Sequence, residues 1–121
     1  MQNNVLKLPV VINGVRGTFI MDTGATFVSM KRAFAEKAKV QIDQDSNVKI
    51  HTANGEVEGK RGRAATVQLR SLQAKDVVVV VQTGQGTYGE GVDGLLGLSF
   101  LSRFKISIDA QTVKIANRNA K

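Results

Sequence analysis

Residues 19–30, Phe-Ile-Met-Asp-Thr-Gly-Ala-Thr-Phe-Val-Ser-Met, constrain this chain more than any other stretch. A short apolar run, Phe19 to Met21, leads straight into Asp22, Thr23 and Gly24, and a second apolar run follows Ala25 and Thr26. A carboxylate at the end of a buried strand is costly unless hydrogen bonds surround it. Thr23 puts a hydroxyl beside Asp22. Gly24 permits a tight turn that aims backbone N–H groups back at the carboxylate.

Asp-Thr-Gly alone arises by chance in many chains, and a buried aspartate at a tight turn is ordinarily a satisfied turn-former. A second motif reverses that balance. Asp93-Gly94-Leu95-Leu96-Gly97-Leu98 lies roughly 70 residues downstream and carries two apolar residues followed by glycine. Together the two stretches resemble the active-site motifs of aspartic peptidases, and Asp22-Thr23-Gly24-Ala25 is similar to the retroviral, retropepsin-like type. The resemblance covers about residues 5–117. It implies an all-β fold: a retropepsin-like acid-protease barrel, a single lobe with one or two short helices. Residues 93–98 would cross behind the catalytic loop.

The 121 residues fit one domain, 1–121, long enough to bury roughly two-thirds of its unfolded surface. No apolar run approaches a membrane span, and there is no signal-peptide pattern. The abrupt start at Met1-Gln2-Asn3-Asn4 is compatible with a piece of a longer protein. Bacterial relatives often carry a membrane helix upstream, so the resemblance implies a periplasmic or membrane-anchored location if such a segment was removed; otherwise the location stays open. The absence of cysteine excludes disulfides, thiolate nucleophiles and Cys-ligated metals. The formal charge of +7 favours anionic partners. Nucleic acid is not expected, because Lys and Arg are scattered and do not interleave with the five Phe and one Tyr as a base-stacking surface would.

Along the chain, residues 5–12 read as a strand, with Pro9 favouring an edge. Asn13-Gly14 signals a hairpin, and Val15–Met21 returns to deliver Asp22. Phe27–Met30 continues extended, and Ser29 is the expected N-cap of a helix over Lys31–Ala38 with Ala33, Phe34, Ala38 and Met30 on one face. After the polar stretch Gln41–Ser46, a second hairpin pairs Asn47–Thr52 with Glu56–Leu69 around Asn54-Gly55. Lys75–Gln82 holds five consecutive valines, the mark of a strand buried on both faces. A loop with Gly84, Gly86, Gly89 and Gly91 reads as a flexible connection on the substrate side. A short helix over Ser99–Arg103 and a hairpin of Lys105–Asp109 with Thr112–Asn117 complete the order.

The resemblance assigns roles. Peptide hydrolysis of this kind needs two carboxylates sharing one proton, because two like charges held together cannot both ionise. One copy of Asp-Thr-Gly cannot build that pair. The resemblance therefore implies a symmetric homodimer in which Asp22 of each copy activates a water, with acid-leaning activity on a peptide or protein substrate. Thr23 would bond the partner's loop and Gly24 N–H would hold the carboxylate. Ala25 stands where pepsin-type lobes carry serine. Thr26 and Leu98-Ser99 depart from the charged residues of viral enzymes, so the dimer contacts must differ. Leu95, Leu96 and Gly97 would support the loop. His51, Thr52, Ala53, Asn54, Gly55 and Glu56 fall where the family's flap closes over substrate, with a tip closer to bacterial members.

The remaining signals are weaker. Asp93 reads as structural. Gly84-x-Gly86-x-x-Gly89 matches a nucleotide-binding pattern, but no helix-forming stretch follows it. His51 is the chain's one histidine, so no metal or other cofactor is expected. Lys60–Arg63 reads as a solvated arm of the flap hairpin, with acidic substrates or anionic lipid headgroups as its minority partners. The alternative to an endopeptidase is a protease-fold binding or assembly module without catalysis.

Overall fold

The computed structural model describes residues 6–52, 55–84, 88–108 and 113–117. Its chain order begins with β1 (Lys7–Ile12), β2 (Val15–Met21) and β3 (Val28–Met30), then α1 (Arg32–Lys37). Next come β4 (Gln41–Ile42), β5 (Val48–Thr52), β6 (Gly55–Leu69) and β7 (Leu72–Gln82). It closes with β8 (Gly94–Leu96), α2 (Leu98–Leu101), β9 (Phe104–Ile108) and β10 (Val113–Asn117). Pairing runs β1-β2-β8-β3-β7-β6, and a β1–β6 contact returns to the start, giving a closed 6-stranded barrel. The strands β4 and β5 attach to β6, and β9 with β10 forms a separate two-stranded sheet. The expected all-β architecture with two short helices is what the chain adopts.

Local sequence explains the elements. Asn13 and Gly14 take positive φ of 51° and 85°, the left-handed pair that a two-residue hairpin turn needs. The Asn13 side chain donates to Ala38 O at 3.0 Å and accepts from Thr66 N–H at 3.1 Å, tying the first hairpin to the end of α1 and to β6. In β1, Leu8, Val10 and Ile12 are buried while Lys7 and Pro9 are exposed, the alternation of a strand with one covered face. Pro9 sits where β1 has only β2 beside it, because the β1–β6 pairing involves Val11 and Ile12 alone. The valine run lies in β7 between β3 and β6, with Val77, Val79, Val80 and Val81 buried.

One core fills the barrel: Phe19, Val28, Met30, Phe34, Val79, Val81, Leu96, Phe100 and their neighbours. Phe19 and Phe34 meet edge to face at 5.5 Å. Burying such a ring contributes about 1.5–3 kcal/mol.

Four expectations need correction. Ser29 is not a helix cap; it lies in β3, fully buried, and α1 begins after Lys31 with no side-chain cap. Met30 still belongs to the strand, pairing with both Gly94 and Val81, and Lys31 takes the N-cap position before the helix starts. Ala33 is exposed, and Ala35 takes its place beside Phe34 and Ala38 on the buried face. Strand β7 starts at Leu72, not Lys75, because Arg70, with φ of 56°, makes a tight β6–β7 turn with Ser71. The second helix spans Leu98–Leu101, starting before Ser99 and ending before Arg103. The turn of the last hairpin lies outside the described residues.

Candidate active site

Three strands build the candidate site. β2 and β8 run parallel, with Ile20 beside Leu95 and Met21 beside Leu96, while β3 runs antiparallel to β8 on its other side. The chain leaves β2 at Asp22, whose N–H donates to Leu96 O at 3.0 Å. The returning limb is held by the segment after Leu96: Leu98 N–H donates to Ala25 O and Ser99 N–H to Thr26 O, both at 2.8 Å. Ser99 Oγ accepts from Val28 N–H at 2.9 Å. The loop from Asp22 to Val28 is thus tied at both limbs to one crossing segment.

That crossing requires backbone against backbone. A Cβ at Gly94 would collide with the Ser29 carbonyl oxygen, and one at Gly97 with the carbonyl oxygens of Phe27 and Ala25. Only glycine fits.

Inside the loop, Gly24 N–H donates to Asp22 Oδ1 at 3.0 Å and Ala25 N–H to Asp22 O at 3.1 Å. Asp22 is half-buried, Thr23, Gly24 and Thr26 are exposed, and Ala25 is buried. Hydrogen bonds therefore join Asp22, Gly24, Ala25, Thr26 and Leu96 to one another or to the crossing segment, and Gly97 packs its backbone against the same loop. Thr23 stands at its exposed tip. Leu95 faces away from the barrel core and packs with Ala25, Val92, Tyr88 and Ile20. Asp93 is held elsewhere: its Oδ2 accepts from Thr18 N–H at 2.9 Å.

The stretch of chain that builds this arrangement is matched by a known family model. The sequence profile described as gag-polyprotein putative aspartyl protease matches residues 8–103. The chain belongs to this family. Its fold is retropepsin-like, related to bacterial and viral members of the same clan. A retropepsin-like aspartic protease from Rickettsia conorii is similar at 25% identity over 94% of this chain and 92% of that one, with a TM-score of 0.65. The retroviral protease-like domain of Ddi1 from Leishmania major shares the fold at 21% identity, covering 95% and 87%, with a TM-score of 0.62. EIAV protease, solved with the inhibitor HBY-793, shares it at 19% identity, covering 84% and 92%, with a TM-score of 0.59. No curated protein matches the chain in sequence.

In this retropepsin-like chain the positions expected to form a flap fall on the β5–β6 hairpin. His51 pairs with Glu56 and Thr52 with Gly55; Glu56 is exposed, and Ala53 and Asn54 lie outside the described residues. Residues 55–58 of β6 have β5 as their ladder partner, and the β7 ladder begins only at Gly59. The basic stretch nearby is partly committed. Lys60 Nζ donates to Gln44 O at 2.7 Å and Ser46 O at 3.2 Å, and Arg63 pairs with Asp76 at 3.1 Å. Among the described residues no group of His, Asp and Glu is placed to hold a metal ion, and no helix is long and apolar enough to cross a membrane.

Sequence reasoning missed one group. Ser29, Gln82 and Tyr88 are buried, and among the described residues Ser29 Oγ, Gln82 Nε2 and Tyr88 OH meet no partner in hydrogen-bond geometry. Leaving a buried polar group unpaired costs about 1–3 kcal/mol. Burial pushes the Tyr88 phenol above its usual range, and the neighbouring Ser29 side chain partly offsets that, although the two hydroxyls do not reach hydrogen-bond geometry. At the described end of the glycine loop, Tyr88 and Val92 pack down beside Ala25 and Leu95; residues 85–87 lie outside the described residues. The available signal was a hydroxyl at Ser29 interrupting the apolar run of Phe27, Val28 and Met30.

Proposed function

We propose that this chain is an aspartic endopeptidase whose active unit is a symmetric homodimer, with Asp22 of each copy contributing one carboxylate. The observation that carries the reading is the setting of Asp22. It is half-buried on a loop stapled at both limbs, with Oδ1 fixed by Gly24 N–H and the neighbouring Thr23 and Gly24 exposed to meet another copy. Within the chain, Asp93 is committed to Thr18 and does not supply the second carboxylate. Leu98, one of two exposed large apolar residues among those described, adjoins the same loop and would be covered by such a partner.

Two Asp22 side chains brought together share one proton, since like charges at that separation do not both stay ionised. The ionised carboxylate takes a proton from the water lying between them as the water attacks the scissile carbonyl. The protonated one gives its proton to the carbonyl oxygen of the tetrahedral adduct. Collapse then breaks the C–N bond as the carboxyl that took the water's proton passes it to the leaving amine nitrogen, and the other carboxylate regains the hydroxyl proton. Activity is therefore acid-leaning. The peptide lies extended against the β5–β6 hairpin and takes main-chain hydrogen bonds as an added strand would. Ala25 leaves one hydroxyl fewer at the pair than a serine would. Thr23 bonds the partner loop.

The test is substitution of Asp22. Asp22→Asn should abolish cleavage of a denatured protein substrate at acid pH while circular dichroism and melting temperature stay those of the parent. A variant that cleaves as fast as the parent removes the reading.

A further inference from the structure

Two cavities open where the short strand β4 pairs with β6 through Gln41–Arg63 and Ile42–Gly62. One, of about 530 Å³, is lined by these four residues with Asp43 and Arg61. The other, of about 280 Å³, shares Gln41 and Arg63 and adds Asn13, Lys39, Ala65 and Asp76. The shared wall makes them one groove. It lies away from Asp22. Asn13 stands before β2 and Asp22 after it, so the two are at opposite ends of a strand of 7 residues. At about 3.3 Å per residue that is roughly 23 Å.

The groove carries three cations. Arg61 and Arg63, two residues apart on β6, share a face about 7 Å from each other. Arg63 pairs with Asp76 at 3.1 Å. The backbone of Arg61 is fixed: its N–H donates to Ser46 Oγ at 2.7 Å, and its O accepts from Asp43 N–H at 2.8 Å. Its guanidinium has no partner among the described residues. Lys39 is the third cation. It follows the α1 C-cap Ala38 with φ of 56°, a left-handed position that favours glycine. Asn13 and Asp76 are left-handed too, so three of the four described non-glycine residues at positive φ line this groove. Such backbone is costly and gathers at functional sites. The hairpin turn accounts for Asn13. A lysine where glycine would end α1 more easily instead puts a charge on the groove wall.

The mixture of signs selects the partner. An arginine fork takes a carboxylate through two parallel hydrogen bonds. Side chains on one face of an extended peptide repeat at about 7 Å, the interval between Arg61 and Arg63. Asp43 and Asp76 accept hydrogen bonds, and Gln41 donates and accepts, so the groove calls for N–H donors as well as acidic groups. A polypeptide brings both. A polyphosphate brings acceptors alone and would meet the two carboxylates. Among the described residues no aromatic ring lines either cavity to stack a base.

We propose that this groove docks an extended acidic segment of a polypeptide substrate, with carboxylates at alternate positions held by Arg61 and Arg63 and flanked by Lys39. Affinity for such a segment rests on the groove alone; that the segment belongs to a substrate rests on the endopeptidase reading. These residues hold substrate and do not touch the bond that breaks.

The probe is a blocked octapeptide alternating glycine and glutamate. Its references are the same peptide with glutamine for glutamate, and oligothymidylate. Binding to the Asp22→Asn protein is followed by amide chemical shifts at fixed ionic strength and about pH 6, where glutamate is ionised. The glutamate peptide should bind at least about ten-fold more tightly than the glutamine peptide and move the amides of residues 39–43 and 61–65. Arg61→Gln combined with Arg63→Gln should remove at least about ten-fold of that affinity. Lys7→Gln combined with Arg16→Gln takes the same charge from exposed positions of β1 and β2 and should change it by less than about two-fold. Arg61→Gln alone should cost about three-fold and guards against misfolding of the double variant. Equal losses in the two double variants, or tighter binding of oligothymidylate at the same residues, overturn the groove.

Cleavage by the parent at the same pH separates the two readings. Appending the acidic segment to a denatured protein substrate should lower KM at unchanged kcat. Cleavage that the segment does not favour removes the docking role and keeps the peptidase. Segment binding without any cleavage keeps the groove as an acidic-peptide site and removes the peptidase; neither binding nor cleavage removes both.

Discussion

Asp93 and Thr18 grip each other twice: Asp93 Oδ2 accepts from Thr18 N–H at 2.9 Å, and Thr18 O accepts from Asp93 N–H at 2.8 Å. Asp93 O also accepts from Lys31 N–H at 2.9 Å, so one residue ties the entry of β8 to β2 and to the start of α1. Its carboxylate serves the fold. Asp93→Ala should lower stability by about 1–3 kcal/mol, because it strands a part-buried N–H, whereas Asp93→Asn keeps an acceptor and should cost less. Urea unfolding checks this, read as a midpoint shift at constant slope.

The crossing segment tolerates no side chain at its second glycine. Gly97→Ala should destabilise by about 3 kcal/mol or prevent folding, because the added methyl meets two carbonyl oxygens of the opposing loop. Gly84→Ala is the control, since a Cβ there meets nothing within 4 Å among the described residues, and it should stay within about 0.5 kcal/mol of the parent. Thermal melts of the pair give the comparison.

Tyr88 makes stability pH-dependent at the alkaline end. Burial raises its folded pKa above the ordinary value of 10.0. Above pH 10 the unfolded chain loses the phenol proton while the folded chain keeps it, so the unfolded state binds fewer protons and stability falls as pH rises. Below pH 10 the contribution is fully present. Ultraviolet titration of the chain's one tyrosine should show a midpoint above 10.0, returning to the ordinary value in denaturant. Tyr88→Phe should remove that part of the alkaline loss.

Much of the fold was legible because its devices are local. Asn13-Gly14 fixes a turn by its two positive φ values, and the valine run of β7 fills a strand flanked on both sides. Asp22-Thr23-Gly24 and Leu95-Leu96-Gly97 are readable because a close backbone crossing accepts so few residue types. What escaped depends on distant partners. Ser29 has the composition of a helix cap, yet β3 extends through Met30 because β7 and β8 pair with it from both sides. Ala33 and Ala35 are indistinguishable by residue type, and only the direction in which α1 meets the sheet buries Ala35. Tyr88, in a loop rich in glycine, gives no periodic signal, and its burial against Ala25 and Leu95 is a purely tertiary outcome.

The central claim is that one reaction centre needs two copies of Asp22, and subunit mixing tests it most directly. Parent protein and Asp22→Asn are combined at fixed total concentration, allowed to exchange subunits, and assayed for peptide cleavage. A centre shared between copies predicts activity falling with the square of the parent fraction, to about one quarter at equal parts. A linear fall, to about one half, would mean that each chain works alone and would contradict the account.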